Sequence, residues 1–396
     1  MAVADTIRAA LGSQSLIRKM FDEGIVLKKQ YGPENVFDFS LGNPDIDPPS
    51  AFFDTLEKLL KEKKKGAHGY MPNGGFPDVK EALSKKVSSE QNVNIDGTHI
   101  IMSCGAAGGI NVIFKSVINP GDEVIIVRPY FTEYHHYISN HNGITVEADS
   151  LLDFNLDIDS IKSKLTPKTA VVLINSPHNP TGRIYPKETI SALASALNEH
   201  GKKCGRFPYL VSDEPYREIV YDGLTAPPIL SAYSESLVVY SYSKSLSLPG
   251  ERIGYIAIGP ENSDKQNLIA SFTWATRILG FLNAPALMQR TVAELCSATV
   301  DVEVYARRRS AFTKIFDEVG IEYAKPEGTF YLFCKVPKGK QASDDLAFID
   351  HLKQHLVLCV PGKAFGAPGW FRVAYCIEEK IITASAEAFK KAMSSW

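Results

Sequence analysis

The feature that most constrains the fold is a regular alternation of short apolar runs with helical stretches from about residue 98 to residue 260. The strand candidates in this region are HIIMSC, DEVIIV, ITVEA, TAVVLIN, YLVSDE, SLVVYSYS and IGYIAIG. Each run has the length of a strand, and turn residues or helical spacing separate it from the next. Such alternation predicts an α/β fold in which helices wrap a mostly parallel sheet.

The pattern changes in the last quarter of the chain. A long helical pattern runs through TVAELCSATVDVEVYARRRSAFTKIFDEVG, and the strand candidates GTFYLFCKV, HLVLCVPGKAFG and WFRVAYC precede a final helix, EEKIITASAEAFKKAM. Strands followed by helices are typical of a smaller α+β domain. We therefore predict an N-terminal arm that forms part of the small domain at 1–45, a large domain at 46–285, and a small C-terminal domain at 286–396.

The charge balance excludes some classes of partner. The 43 Lys and Arg residues face 45 Asp and Glu residues, which gives a net charge of −2. A near-neutral chain lacks the bulk electrostatic attraction that holds nucleic acid or an anionic membrane. The lysine run after AFFDTLEKLL is expected to be a solvated helix end. We predict neither a nucleic-acid nor a membrane partner.

Cysteine usage indicates the compartment. The six cysteines are scattered and form no C-x-x-C pair, which is typical of free thiols in a reducing compartment. The first residues lack the uninterrupted apolar core of a signal peptide, and no run of about 18 apolar residues occurs. We expect a cytoplasmic protein. His135, His136 and His141 lack ligand spacing with carboxylates or cysteines, so we interpret them as solvated or helix-surface residues and predict no metal site.

Two segments that follow strand candidates contain small or rigid turns. Ligands of open α/β sheets gather beyond the carboxyl ends of the strands, so these positions are informative. SCGAAGGIN (103–111) leads a strand into a helix through small residues, and such a turn lets backbone N–H groups approach a phosphate. It lacks the spacing of a nucleotide or dinucleotide loop. INSPHNPTGRIY (174–185) holds Asn179 in a proline-rich turn, although a strand-to-helix turn alone would also explain that segment.

Two further segments place ionisable residues after strands. LVSDEPYREIVY (210–221) places Asp213 and Tyr216 beyond an apolar run, and SYSKSLSLPGERIGY (241–255) places Lys244 eight positions before Arg252. A helix cap or a salt bridge would explain the acid taken alone. Lys244, however, lies in a stretch with few other charges and many hydroxyl groups, which is unusual for a solvated lysine.

A ring-shaped cofactor that carries a phosphate and an aldehyde would use all four segments. Lys244 could form a Schiff base with the aldehyde. Asp213 could keep a pyridine nitrogen protonated, so that the ring accepts electrons, while Asn179 and Tyr216 could bond the ring hydroxyl. The phosphate could be bound by charge-assisted and hydroxyl hydrogen bonds from Ser241, Ser243, Arg252 and the turn at 105–107.

The sequence resembles a known family, the pyridoxal-phosphate-dependent aminotransferases of class I/II (aspartate aminotransferase superfamily, fold type I). The resemblance covers nearly the whole chain, from SLGNPD (40–45) and GYMPNGGFPDVKEAL (69–83) to EGTFYLF (327–333) and WFRVAYC (370–376). The order Asn-Pro-Thr-Gly, Asp-x-x-Tyr, then Ser-x-Ser-Lys with Arg eight beyond is far more specific than any one motif.

The resemblance implies a role for each matching residue. Lys244 would hold the cofactor and move the proton at the substrate Cα, and Asp213 would bind the pyridinium. Asn179 and Tyr216 would lie on the ring oxygen, and Asn179 would also contact the substrate. Phe131 would stack on the ring, with Tyr130 or Tyr134 as competitors for that role. Tyr70 would reach the phosphate of the neighbouring subunit, and Arg372, with Gly42, would bind the substrate carboxylate. The family's phosphate site would be formed by Gly105, Ala106, Ala107, Ser241, Ser243 and Arg252.

The function that the resemblance implies is a ping-pong transamination between an L-amino acid and a 2-oxo acid, catalysed by a homodimer with a shared active site and pyridoxal 5′-phosphate in the large domain. Aspartate, alanine and aromatic donors all stay open. Arg277 is a candidate cation for an acidic side chain. A carbon–sulfur β-lyase or decarboxylase would use the same motifs. A non-catalytic cofactor-sensing regulator is the remote alternative, and the near-neutral charge disfavours it.

Overall fold

The computed structural model describes residues 3–4, 7–8, 16–339 and 344–396, with side chains from Lys19 onward in the first helix. Parts of the predicted N-terminal arm therefore lie outside the described residues. The strands are β1 (Phe37–Asp38), β2 (Ile100–Ser103), β3 (Glu123–Val127), β4 (Ile144–Ala148), β5 (Thr169–Asn175), β6 (Tyr209–Asp213), β7 (Ser236–Ser241), β8 (Gly254–Ile258), β9 (Tyr323–Ala324), β10 (Tyr331–Lys335), β11 (Val357–Leu358), β12 (Val360–Pro361) and β13 (Trp370–Ala374).

The α-helices that accompany these strands are Leu16–Tyr31, Ser50–Glu62, Pro77–Gln91, Gly105–Val117, Tyr134–Ser139, Ile158–Lys164, Lys187–Cys204, Tyr242–Ser245, Lys265–Ile278, Ala286–Glu294, Val302–Val319, Asp345–Gln354, Glu379–Ala384 and Ala386–Ser395. Short 3₁₀ turns occur at Pro33–Asn35, Gly97–His99 and Gly362–Phe365. In the described part of the chain, no helix combines the length and the apolar character that a bilayer crossing requires.

The larger sheet confirms the predicted α/β fold. Its seven strands lie in the order β2-β8-β7-β6-β5-β3-β4. All neighbouring pairs are parallel except those of β8, which runs antiparallel to β2 and β7. Every residue of β5, β7 and β8 is buried, as expected of strands covered by helices on both faces. The carboxyl ends of β5, β6 and β7 therefore lie side by side at one edge.

The smaller sheet has the order β12-β13-β10-β9 and is antiparallel. Its apolar core, which includes Phe312, Phe316 and Phe371, forms a cluster separate from that of the larger sheet. Beside it, β1 pairs with β11 in parallel. This arrangement matches the predicted α+β character of the C-terminal part, while the domain limits stay a prediction.

Two predicted helices are interrupted. The final one is divided into Glu379–Ala384 and Ala386–Ser395. The long helical pattern is broken between Glu294 and Val302, where the Val300 N–H donates to Ser245 O at 2.7 Å. The Asp301 side chain then caps the next helix by accepting from Glu303 N at 3.0 Å, because a capping carboxylate satisfies an otherwise free N–H. The helix before the break packs Met288 and Val292 into the core of the larger sheet.

The cysteines and histidines mentioned above also have defined surroundings. All six cysteines are free thiols. His136 is exposed, whereas His135 and His141 are half-buried; His135 Nε2 lies 3.4 Å from Glu147, and His141 Nε2 lies 3.2 Å from Asn111 Oδ1. Across the described ranges, no cluster of three or more His, Cys, Asp or Glu side chains is arranged to hold a metal ion.

Candidate active site

A cavity of about 290 Å³ lies at the carboxyl ends of β5, β6 and β7, as the topology of the sheet predicts. Its walls bring together residues from both sheets and from the segment around residue 42. The lining residues are Leu41, Gly42, Ala106, Ala107, Ile110, Phe131, Tyr134, Tyr137, Asn175, Asn179, Asp213, Pro215, Tyr216, Ser241, Ser243, Lys244, Pro249, Arg252, Tyr331 and Arg372. Nearly all the site residues predicted from the sequence thus meet in one place.

Lys244 lies in the short helix Tyr242–Ser245 that directly follows β7. Its Nζ donates a hydrogen bond of 2.8 Å to the backbone oxygen of Gly42. Burial lowers the pKa of this amine to about 8, and the nearby guanidinium groups of Arg372 and Arg252 act in the same direction, whereas Cys376 opposes them. A lysine with this pKa can give up its proton near neutral pH, as a nucleophile or general base requires.

Asp213 is the last residue of β6 and is buried. Its Oδ2 accepts a hydrogen bond of 2.6 Å from the Tyr134 hydroxyl, and its Oδ1 is buried without a partner among the described residues. Burial raises the pKa of this carboxyl group to about 7, while the Tyr134 bond lowers it. An unsatisfied buried carboxylate oxygen is costly, so this atom fits a ligand that presents a cationic N–H group.

A candidate anion site is formed at the start of helix Gly105–Val117, where Ala106 and Ala107 line the cavity. The first N–H groups of a helix have no partner within it and attract anions. Gly105 has φ +70°, a backbone conformation that favours glycine, and a Cβ there would lie 2.7 Å from Arg252 Nη2. Arg252 donates to Pro249 O and Cys104 O at 2.8 and 3.3 Å.

Two serine hydroxyls complete this anion site. Ser241 Oγ and Ser243 Oγ lie 2.8 Å apart, and Ser241 Oγ accepts from Ser243 N at 3.2 Å. Both serines are buried and line the cavity together with Arg252. The set of helix N–H groups, hydroxyls and one guanidinium is the donor set that binds a phosphate.

Arg372, in β13, forms the other end of the cavity and is buried. Its Nη1 donates to Asn179 Oδ1 at 3.1 Å and its Nη2 to Ser40 O at 2.7 Å. Its Nε is buried without a partner among the described residues. The guanidinium carbon lies 4.3 Å from the centre of the Tyr331 ring. A buried guanidinium with an unused donor fits a carboxylate ligand.

The aromatic residues of the cavity divide into two groups. Phe131 lines it and packs edge-on against Tyr134 at 5.5 Å between ring centres. Tyr130, its competitor in the sequence, instead donates to Glu147 Oε1 at 3.0 Å and does not line the cavity. On the opposite wall, the hydroxyl groups of Tyr216 and Tyr331 lie 3.1 Å apart.

Several cavity residues were not singled out from the sequence. Tyr331 is the most important, because a Cβ on Gly42 would collide with its hydroxyl group, which explains the need for glycine there. The sequence indicates Tyr134 only as a competing stacking residue and carries no signal of its bond to Asp213. Asn175, the last residue of β5, accepts from Asn179 N at 2.7 Å, and its place at a strand end was the available signal.

Tyr70 and Arg277 do not line the cavity of their own chain. Tyr70 is 90% exposed. Arg277 is exposed at the end of helix Lys265–Ile278, with its guanidinium 5.6 Å from the centre of the Trp274 ring. The roles predicted for these two residues therefore stay predictions.

The fold and the cavity at the strand ends together point to an enzyme. The profile of the family "Aminotransferase class I and II" matches residues 34–389. The chain belongs to this family, and amino-group transfer is its activity, so the lyase alternative is not favoured. Members of this family are generally dependent on pyridoxal phosphate.

Individual relatives agree with this assignment. The chain is 31% identical, over 85% of its length and 87% of the relative's, to a probable aspartate aminotransferase of Methanocaldococcus jannaschii. It is 30% identical, over 89% of both chains, to an aspartate/prephenate aminotransferase of Thermus thermophilus. The structure superposes with a TM-score of 0.95 on an aminotransferase of Eubacterium rectale that is 36% identical and covers 100% of this chain and 99% of that one.

Proposed function

We propose that this chain binds pyridoxal 5′-phosphate in the cavity and transfers an amino group between an L-amino acid and a 2-oxo acid by a ping-pong mechanism. The observation that carries the proposal is the buried Oδ1 of Asp213, which has no partner among the described residues and lies in the same cavity as Lys244 and the candidate anion site. When bound, pyridoxal phosphate supplies an aldehyde and an electron-accepting ring. The residues of the chain bind the cofactor, orient the substrate and transfer the proton.

Each end of the cavity would hold one part of the cofactor. The phosphate would lie at Gly105–Ala107 with Ser241, Ser243 and Arg252, where the donors concentrate. Asp213 would hold a protonated ring nitrogen, because no donor in the described part of the chain bonds Oδ1, and Phe131 would cover the ring face. Tyr216 would donate to the ring oxygen. Asn179 would share that contact, although its side-chain oxygen accepts from Arg372 here.

The substrate end would bind and orient the amino acid. Arg372 would bind the α-carboxylate through two parallel N–H···O bonds. Gly42, which has no side chain, leaves the space that Tyr331 occupies beside Gly42. Lys244 would accept the proton from the substrate Cα and would donate it to the aldehyde carbon of the cofactor. Its pKa of about 8 suits both steps, because a general base works best when its pKa is close to the working pH.

We further propose a cytoplasmic homodimer in which Tyr70 reaches the phosphate of the partner subunit. Support comes from exposed apolar residues near the start of helix Gly105–Val117. Phe281 is 36% exposed, and its ring would lie 3.8 Å from a Cβ placed on Gly108 in that helix. Leu282 and Trp274 are also exposed, at 40% and 57%, and such a patch is typical of an interface. In mixtures of Tyr70→Ala and Lys244→Ala chains, one intact site per heterodimer should restore activity above that of either variant alone.

The decisive experiment combines cofactor and product measurements. The purified protein with pyridoxal phosphate should show visible absorbance that Lys244→Ala alters, and borohydride should link the cofactor to Lys244. Aspartate, alanine and an aromatic amino acid are then tested as donors with 2-oxoglutarate and pyruvate as acceptors. Amino-group transfer to an acceptor supports the proposal. Pyruvate and ammonia released from cystathionine without an acceptor would support the lyase instead, and no reaction would contradict both.

A further inference from the structure

Glu327 joins two segments that enter the cavity from different sheets. Its Oε1 accepts from Arg183 Nη1 at 3.0 Å, and its Oε2 accepts from the backbone N–H of Ile184 at 2.9 Å. Arg183 and Ile184 belong to the loop that follows β5 and carries Asn179. Both side chains of the ion pair are only about a quarter exposed, at 24% for Arg183 and 25% for Glu327, so solvent screens the pair less than a surface pair.

Backbone contacts hold the same segments together. The oxygen of Gly182 accepts from the N–H groups of both Glu327 and Gly328 at 2.9 Å. Gly182 has φ +73°, and a Cβ there would lie 2.9 Å from Gly328 O, so the approach requires glycine. Gly328 also forms an antiparallel bridge with Val220, in the loop that follows β6 and carries Tyr216.

The three connected segments end in the same part of the cavity. Four residues beyond Glu327, β10 begins with Tyr331, whose hydroxyl lies 3.1 Å from that of Tyr216. The Tyr331 ring lies 4.3 Å from the Arg372 guanidinium, which in turn donates to Asn179 Oδ1 at 3.1 Å. Any shift of β10 relative to the Asn179 loop would therefore change the position of the guanidinium.

We propose that Glu327, through its ion pair with Arg183, is a positioning residue that sets the geometry of the carboxylate-binding end of the cavity. Neither side chain lines the cavity, so both act through Asn179, Tyr331 and Arg372. The inference rests on the proposed function, because it assigns the substrate carboxylate to Arg372. A loosened pair would displace the guanidinium that binds the substrate carboxylate, so its loss should be measurable as weaker binding of the substrate.

The test uses Glu327→Gln in the holoenzyme. Glutamine keeps an oxygen for the Ile184 N–H but removes the charge that faces Arg183. We expect the KM of the best donor in the screen above to rise about tenfold. This is the size expected if the displaced Arg372 loses one charge-assisted hydrogen bond to the substrate carboxylate. We expect kcat to change by less than about threefold, because the loss affects mainly ground-state binding. The affinity for pyridoxal phosphate should be unchanged, since the anion site is built from other segments.

Two matched variants sharpen the test. Arg183→Gln should raise KM to the same extent, and the double variant should be no worse than either single one, because the two residues act as a pair. Asp153→Asn is the control. Asp153 contacts the same guanidinium at 3.1 Å but is 56% exposed, so its loss should change KM by less than about twofold.

Hydrogen exchange supplies a readout that does not depend on turnover. Glu327→Gln should accelerate exchange of the backbone amides of the non-proline residues in 177–184 and 326–331, while the central strands keep their protection. If only the melting temperature fell, with KM and exchange of these segments unchanged, Glu327 would be merely structural and the proposal would be wrong. If the wild-type enzyme transferred no amino group, the proposed function would fail, and exchange would still decide whether Glu327 holds the two segments.

Discussion

The Tyr134 hydroxyl donates to Asp213 Oδ2 at 2.6 Å, while Oδ1 of the same carboxylate is buried without a partner in the described chain. The protein thus fixes one carboxylate oxygen and leaves the other for a ligand. Burial raises the pKa of Asp213 to about 7, and the Tyr134 bond counteracts that shift. The Tyr134 bond therefore favours the ionised form of Asp213, so that the carboxyl group loses its proton at a lower pH than burial alone would allow.

The first prediction is that Tyr134→Phe weakens cofactor binding in a pH-dependent manner. Without the donor, the pKa of Asp213 rises further, so less carboxylate is available at pH 7. We expect the Kd of pyridoxal phosphate to rise about tenfold at pH 7 and less at pH 9, where Asp213 is ionised in both proteins. Absorbance titration of the apoenzyme measures this. Tyr130→Phe, which loses only a bond to Glu147, is the control; equal effects from both variants would contradict the prediction.

The second prediction concerns the stability of the apoenzyme. The unfolded chain ionises Asp213 near its ordinary value of 3.8, whereas the folded chain ionises it only at about 7. Stability is therefore lost as the pH rises from about 4 to about 7, by an amount on the order of a few kcal/mol at most. Asp213→Asn does not titrate and keeps an oxygen for Tyr134.

Without cofactor, Asp213→Asn should therefore melt at a higher temperature than the wild type at pH 8, and the difference should shrink towards pH 5. Excess pyridoxal phosphate should reverse the order, because it binds the folded wild type more tightly. Thermal unfolding with and without cofactor measures both effects. A wild type that melts at least as high as the variant at pH 8 without cofactor would refute the idea that this carboxylate is buried at a cost.

The residues at strand ends could be predicted because topology alone brings them together. Asn179, Asp213 and Lys244 each lie at or just beyond the carboxyl end of β5, β6 or β7, and neighbouring parallel strands end at the same edge. Their side chains are also difficult to explain by packing. The position of these residues therefore followed from the apolar runs that precede them, without knowledge of any tertiary distance.

Tyr331 and Tyr134 could not be assigned in this way. Each functional contact joins residues far apart in the chain, 115 positions for Tyr331 with Tyr216 and 79 for Tyr134 with Asp213. A tyrosine at either position is equally well explained by core packing. The helix break after Glu294 has a similar origin, because the bond from Val300 to Ser245 is a tertiary contact that overrides a continuous helical pattern.

The third prediction separates two functions within residues 241–255. Lys244→Ala should keep the cofactor bound non-covalently but lose turnover, because the anion site and Asp213 stay intact. Arg252→Ala should instead raise the Kd of pyridoxal phosphate by about ten- to a hundredfold, as expected for losing a charged phosphate contact. Dialysis followed by absorbance measures retention, and saturation with cofactor should rescue Arg252→Ala only. Rescue of Lys244→Ala by excess cofactor would overturn the assignment of Lys244 as the proton carrier.

The fourth prediction concerns the contact between Gly42 and Tyr331. A Cβ at residue 42 would collide with the Tyr331 hydroxyl and its ring, and the Gly42 oxygen also accepts from Lys244 Nζ at 2.8 Å. Gly42→Ala should therefore destabilise the protein by about 1–3 kcal/mol, as overpacking does, and raise the KM of the amino acid. Urea unfolding and steady-state kinetics measure these changes.

The control for the fourth prediction is Gly250→Ala, where a Cβ would meet no atom of the described residues within 4 Å, so its stability and KM should stay close to those of the wild type. A second variant tests the cause directly. In a Tyr331→Ala background the obstacle is gone, so adding Gly42→Ala should cost much less than it does in the wild type. If Gly42→Ala cost the same in both backgrounds, the collision with Tyr331 would not be the reason for glycine at this position, and the backbone at residue 42 would itself have to require it.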